Sequence, residues 1–160
     1  MAFRVTDHKI GTQAIADTSS TKRHALGTIV NAEDVTLGAG EFIYLLGVTS
    51  TVVGSIVRYD DGFQTALATS ALTDSLPLAI AMSANVGSKY GWYQIAGLAV
   101  AKKASASTMA DGAGIGAASG LAVAVSTNVQ IQSCVVRTVT TSSGAAADYV
   151  AVAINRPHDI

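Results

Sequence analysis

The chain has 160 residues and a mass of 16.2 kDa, the length of one domain with no room for two full cores. Apolar residues make up 49% and charged residues 13%, with ten Lys and Arg against eleven Asp and Glu. This balance excludes a disordered chain, supplies none of the basic surplus that general nucleic-acid binding needs, and leaves Cys134 alone, without a disulfide framework.

The opening Met1-Ala-Phe-Arg-Val-Thr-Asp-His-Lys9 reads as lacking the apolar region of a secretory signal. No stretch approaches the roughly 18 apolar residues of a membrane helix, so no membrane partner is expected. The most apolar window, 113–125, is broken by Gly114, Gly116, Ser119 and Gly120. Ala and Val carry most of the hydrophobicity. A surface of small apolar residues stays soluble more easily when a partner covers part of it, which hints at assembly.

Residues 1–25 differ from the rest. They hold Arg4, Asp7, His8, Lys9, Asp17, Lys22, Arg23 and His24, and no apolar stripe of helical or strand period runs through them. Two readings stand side by side, a frayed terminus or an extended arm that lies on a neighbouring subunit. Residues 26–160 read as a single β domain.

Short β-rich runs follow: Ile29-Val30, Phe42–Leu45, Ser55–Tyr59 and Thr65–Leu67, bounded by Gly38-Ala-Gly40, Gly47, Gly54 and Asp60-Asp61-Gly62. Asp61-Gly62 signals a hairpin. At most one short helix fits, around Thr65–Leu72. A turn at 73–75 precedes Leu76–Met82. Tyr90–Gly97 is the most aromatic segment and continues toward Lys102-Lys103. Residues 105–119 are rich in Ala, Ser and Gly and read as a loop. Leu121–Val125, Cys134–Thr140 and Asp148–Ile154 complete the strands, with a turn or loop at 142–146. About nine short strands separated by turns predict an all-β fold, an antiparallel β-sandwich or barrel of jelly-roll-like kind.

Candidate chemistry is sparse. Gly112-Ala-Gly-Ile-Gly116-Ala117 loosely matches a dinucleotide loop. Strand-like Leu121–Val125 follows it where a helix is required, and no acidic residue occurs between Asp111 and Asp148. One Cys and three scattered His do not make a structural zinc site. Asp60-Asp61-Gly62 lacks the spaced ligands of a calcium loop and reads as a turn. There is no G-x-S-x-G elbow, and every His lies near a terminus, which disfavours a Ser–His–Asp set. Cys134, among valines, reads as an unreactive core residue with a raised pKa. Strand alternation puts Tyr90, Trp92 and Gln94 on one face and Gly91, Tyr93 and Ile95 on the other. Trp92 and Tyr93 are therefore expected as core or interface anchors. No cofactor, no metal and no enzymatic activity is expected.

Several segments carry a resemblance. His24-Ala-Leu-Gly-Thr-Ile-Val30, Gly40-Glu-Phe-Ile-Tyr-Leu-Leu-Gly-Val48, Ala81-Met-Ser-Ala-Asn-Val86, Tyr90–Gly97 and Ile154-Asn-Arg-Pro157 are similar to those of small head decoration, or cement, proteins of tailed bacteriophages. The resemblance spans about residues 10–157 and rests on strand and turn signatures. It implies a β-sandwich that oligomerises, as a homodimer or homotrimer, and bridges major capsid subunits on the outer surface of the virion after synthesis in the host cytoplasm. It implies no nucleic-acid partner. Under this reading Arg4, Lys9, Lys22 and Arg23 are candidate contacts to acidic capsid residues, with Trp92 and Tyr93 as anchors. A body lacking residues 1–20 is expected to fold and lose decoration. The alternatives are a tail, neck or head-fibre component, or a carbohydrate-binding β-module for host attachment carried by exposed Tyr90 and Trp92.

Overall fold

The structure, a computed structural model, describes residues 3–7, 11–70, 76–105, 107–125, 130–137 and 148–158. The turns read at 73–75 and 142–146 lie outside the described residues, as do Lys9 and His8. Among the described residues every regular element is a strand, and every pairing of strands is antiparallel. The all-β antiparallel fold expected from the sequence is therefore present.

The strands are β1 (Arg4–Val5), β2 (Thr18–Ser19), β3 (Ile29–Asp34), β4 (Gly38–Leu46), β5 (Ile56–Tyr59), β6 (Thr65–Leu67), β7 (Leu78–Ala81), β8 (Tyr90–Lys102), β9 (Ile115–Ala118), β10 (Leu121–Ala124), β11 (Gln132–Val136) and β12 (Tyr149–His158). The main sheet runs β1-β3-β4-β8-β7-β5-β6. The thirteen-residue β8 is its hub. β4 pairs along one edge, and β2, β7 and β12 follow one another along the opposite edge. β6 then curves back toward β4. Leu46 N–H donates to the Phe63 carbonyl at 3.1 Å, and the Thr65 hydroxyl donates to the Leu46 carbonyl at 2.8 Å. The result is a curled, sandwich-like sheet.

β4 and β8 are covered on both faces, which explains their near-continuous apolar runs. Phe42, Tyr44 and Trp92 point into one cluster with Val30, Ala32, Met82 and Ile15. Ile43, Leu45, Tyr93 and Ile95 point the other way, into the curl, against Val57, Ala79 and Ala81. A third cluster, with Ile56, Leu78, Ile115, Ile131, Cys134, Val152 and Ile154, fills the space under β9, β10 and β11. The alternation expected for Trp92 and Tyr93 is the one observed.

Two local readings are corrected. The short helix fitted to Thr65–Leu72 is not formed by its described residues: Thr65–Leu67 is β6, paired with β5 through Tyr59↔Thr65 and Val57↔Leu67. The β5 edge and the Leu46 carbonyl satisfy Thr65, and tertiary pairing overrides a weak helical bias. The loop read over 105–119 contains β9. Ala118 pairs with Leu121 across Ser119-Gly120, whose φ values of 49° and 76° are those of a two-residue type I′ turn. Gly116 and Ala117 are buried, so here small residues are what close packing requires. Backbone bonds hold this hairpin on both sides, from Ile131 N–H to the Ile115 carbonyl (2.8 Å) and from Ala104 N–H to the Ala122 carbonyl (2.9 Å).

Candidate functional site

The described part of the N-terminal arm is extended and lies on its own body. β1 pairs with the outer edge of β3 (Arg4↔Glu33, Val5↔Ala32). Thr6 N–H donates to the Asn31 carbonyl at 3.0 Å, and the Asp7 carboxylate accepts from Asn31 N–H at 2.9 Å. Phe3 meets Phe42 edge-on, with ring centroids 4.9 Å apart. Further along, Ile15 is part of the core and β2 pairs with Tyr90-Gly91. No periodicity marks these contacts in the sequence, because the arm inserts isolated apolar residues, Phe3, Val5 and Ile15, at no regular spacing.

Gln13 ties the arm down. Its carbonyl accepts from the Trp92 indole N–H at 2.9 Å, and its side-chain oxygen accepts from the Tyr44 hydroxyl at 3.1 Å. Its side-chain nitrogen donates to the Asp17 carbonyl at 2.7 Å, and its backbone N–H donates to His24 Nε2 at 3.1 Å. The His24 ring sits 5.0 Å from Tyr44 and 5.4 Å from Trp92. Burial raises the Tyr44 phenol above its usual range, opposed by the bond from Arg23 N–H and its positive charge.

The candidate contact residues separate into two groups. Arg4, Lys22 and Arg23 are exposed. Arg4 forms an ion pair with Glu33, and the Arg23 side chain donates to the Ser19 hydroxyl at 3.4 Å. Trp92 and Tyr93 have no exposed surface at all. Of the two roles expected for them, core or interface anchor, they take the core role. Trp92 also offers no open ring for stacking a sugar. The Tyr93 hydroxyl is enclosed as well and accepts from the Asn85 amide at 3.0 Å. Burial raises its pKa, against hydrogen bonds from Thr65, Asn85 and Thr51.

Beside Arg4 the structure presents residues the sequence reading did not single out. Arg4, Glu33, Asp34, Val35, Gly38 and Ala39 line a shallow, open groove at the sheet edge. Val35, at the tip of the β3–β4 hairpin, is fully exposed. It is held there because the Asp34 carboxylate accepts from both Thr36 N–H (2.8 Å) and Leu37 N–H (3.0 Å), and Gly38 closes the loop at φ 76°. The readable signal was an apolar residue inside a polar turn, Asp34-Val-Thr36.

The remaining chemistry is structural in place. The Asp60 carboxylate accepts from Gly62 N–H (2.9 Å) and Gln64 N–H (3.0 Å), so it builds the β5–β6 turn. Gly112–Ala117 leads into the β9–β10 hairpin, so no helix N-terminus faces those glycines. Cys134 is buried, and burial pushes its thiol from 9.0 up to about 12. Among the described residues no three His, Cys, Asp or Glu side chains gather to hold a metal ion. Among them, too, no helix is long and apolar enough to cross a membrane.

The fold and this face define an all-β scaffold with an open, mixed-charge edge. No protein-family model matches the chain, and no curated protein or solved structure matches it.

Proposed function

We propose that this protein is a structural component of a tailed-phage particle that decorates the outside of the capsid and cements neighbouring major capsid subunits. The observation that carries the reading is where the resemblance falls. The similar segments cover most of β4, the first eight residues of β8, the entry to β3, the exit of β7 and the end of β12. These are the strands that build the scaffold. Similar segments spread over five strands of the main sheet support a structural role better than one motif would.

The physical logic is mass action. A protein that binds only the assembled shell stabilises that shell. Many copies on one lattice turn modest contacts into high avidity. Arg4, Lys22 and Arg23 remain the proposed polar contacts, now joined by Glu33 and Val35 on the adjoining hairpin. Self-association as a dimer or trimer at a symmetry axis of the lattice belongs to the same proposal.

The test is a copy-number count on purified particles by quantitative mass spectrometry against the major capsid protein. A ratio near one per capsid subunit, or a simple lattice fraction of it, is expected. A ratio of a few per cent would assign the protein to the neck, tail or fibres, and absence from the particle would end the virion reading.

A further inference from the structure

We propose that His24 is a proton-operated latch for residues 11–25, and that protonating it releases this segment from Trp92. The geometry sets the starting state. Gln13 N–H can only donate, and it points at His24 Nε2 from 3.1 Å. Nε2 must therefore carry a lone pair, which makes the imidazole neutral. A proton on Nε2 would set donor against donor.

The residue struck by that change is the one that ties the segment to Trp92, beside Ile15 in the core and the β2–β8 pairing. Gln13 also takes the Trp92 indole N–H, takes the Tyr44 hydroxyl and gives to the Asp17 carbonyl. Displacing its backbone loosens all three bonds together.

Among the described residues, the titratable and charged groups nearest the imidazole include Tyr44 on β4, Tyr90 on β8, and Asp17, Lys22 and Arg23 on the segment itself. Arg23 directs its guanidinium to the Ser19 hydroxyl. An imidazole ordinarily changes charge between about pH 5 and 8, a range in which Asp, Tyr and Arg side chains keep theirs. The faces of Tyr44 and Trp92 attract an imidazolium, but they offer Gln13 N–H no acceptor. This inference is independent of the capsid reading and stands or falls without it.

Trp92 is the single tryptophan, so its emission reports the latch. The experiment uses the full chain at about pH 7.5 and about pH 5, on either side of imidazole titration. It records the emission maximum, acrylamide quenching and far-ultraviolet circular dichroism. The expected result at the lower pH is a red shift and a several-fold rise in quenching with the dichroism unchanged. His24→Gln keeps a side-chain acceptor and takes no proton, so it should give the same emission at both pH values. Identical wild-type emission at both pH values would overturn the proposal, and so would a His24→Gln variant that shifts as the wild type does. If that variant does not fold, amide exchange of Gln13 in the wild type decides instead. Protection should be lost at the midpoint of the His24 ring titration, and protection that persists well below that midpoint overturns the latch.

Discussion

Gly97 shows how one residue sets the shape of the main sheet. Its φ is 101°, and a Cβ there would stand 2.5 Å from the Ala39 carbonyl oxygen. It sits where β8 bulges against β4: Phe42 pairs with Gln94, while Glu41 pairs with Ala96. The buried Gln94 amide donates to the Ala96 and Leu98 carbonyls, both at 3.1 Å, and so satisfies the backbone the bulge displaces. Gly97→Ala combines backbone strain with a backbone clash and is expected to cost more than about 2 kcal/mol. Gly112→Ala, at φ 76° with nothing nearby, carries strain alone and should cost about 1–2 kcal/mol. Thermal unfolding of the two variants tests the difference, and equal losses would show that the clash relaxes without cost. By contrast, the exposed Arg4–Glu33 pair contributes only about 0–1 kcal/mol to folding.

At the scale of the element, the arm behaves as part of the body. The expectation that a protein lacking residues 1–20 stays intact is revised. That truncation removes Ile15, Phe3 and Val5 from the cluster around Trp92 and takes away the Gln13 carbonyl that satisfies the indole N–H. Losing a buried Ile alone costs about 2–5 kcal/mol. The truncated chain should melt well below the full chain, with Trp92 emission shifted to the red. An unchanged melting temperature would show that these contacts add nothing to stability. The capsid-contact idea is therefore better tested by charge reversal at exposed Lys22 and Arg23, which leaves Ile15 and Gln13 in place. The β9–β10 hairpin makes the same point in the other direction. A stretch that looks like filler is a strand pair, because Ser119-Gly120 turns tightly and its alanines fit where larger side chains would not.

Across the whole molecule, burial of weak acids makes stability fall at alkaline pH. Burial raises Tyr44 and Tyr93, and raises Tyr59 against the opposing charge of Arg156. Burial pushes the Cys134 thiol from 9.0 to about 12. In each case the unfolded form loses its proton first as the pH climbs. The stability Cys134 contributes is thus complete below about pH 9 and falls between about 9 and 12, and the share of the tyrosines falls as the pH rises above about 10. Urea unfolding at about pH 8 and pH 10.5 should show the loss, and stability that is flat across that range would contradict it. The same burial predicts that Cys134 resists a thiol reagent at about pH 8 in the native protein and reacts once the chain is unfolded. The proposed assembly also belongs to this scale, because copy number per particle, and no single residue, distinguishes a cement protein from a neck or fibre component.

The sequence by itself determined the fold class, the positions of most strands and the facing of β8. Those signals are local: β-branched and aromatic runs, turn dipeptides and a period of two. It also named Arg4, Lys22 and Arg23 as candidate contacts, and the structure leaves all three exposed, as charged side chains usually are. Only the tertiary structure decided that the arm folds onto its own sheet, that Trp92 is closed off by the Gln13 carbonyl, and that Val35 is held out on a hairpin tip. The Gln13–Trp92 bond joins residues 79 apart in the chain. No local pattern encodes such a pairing, because its energy comes from satisfying a buried donor that exists only once β4, β8 and the arm have come together.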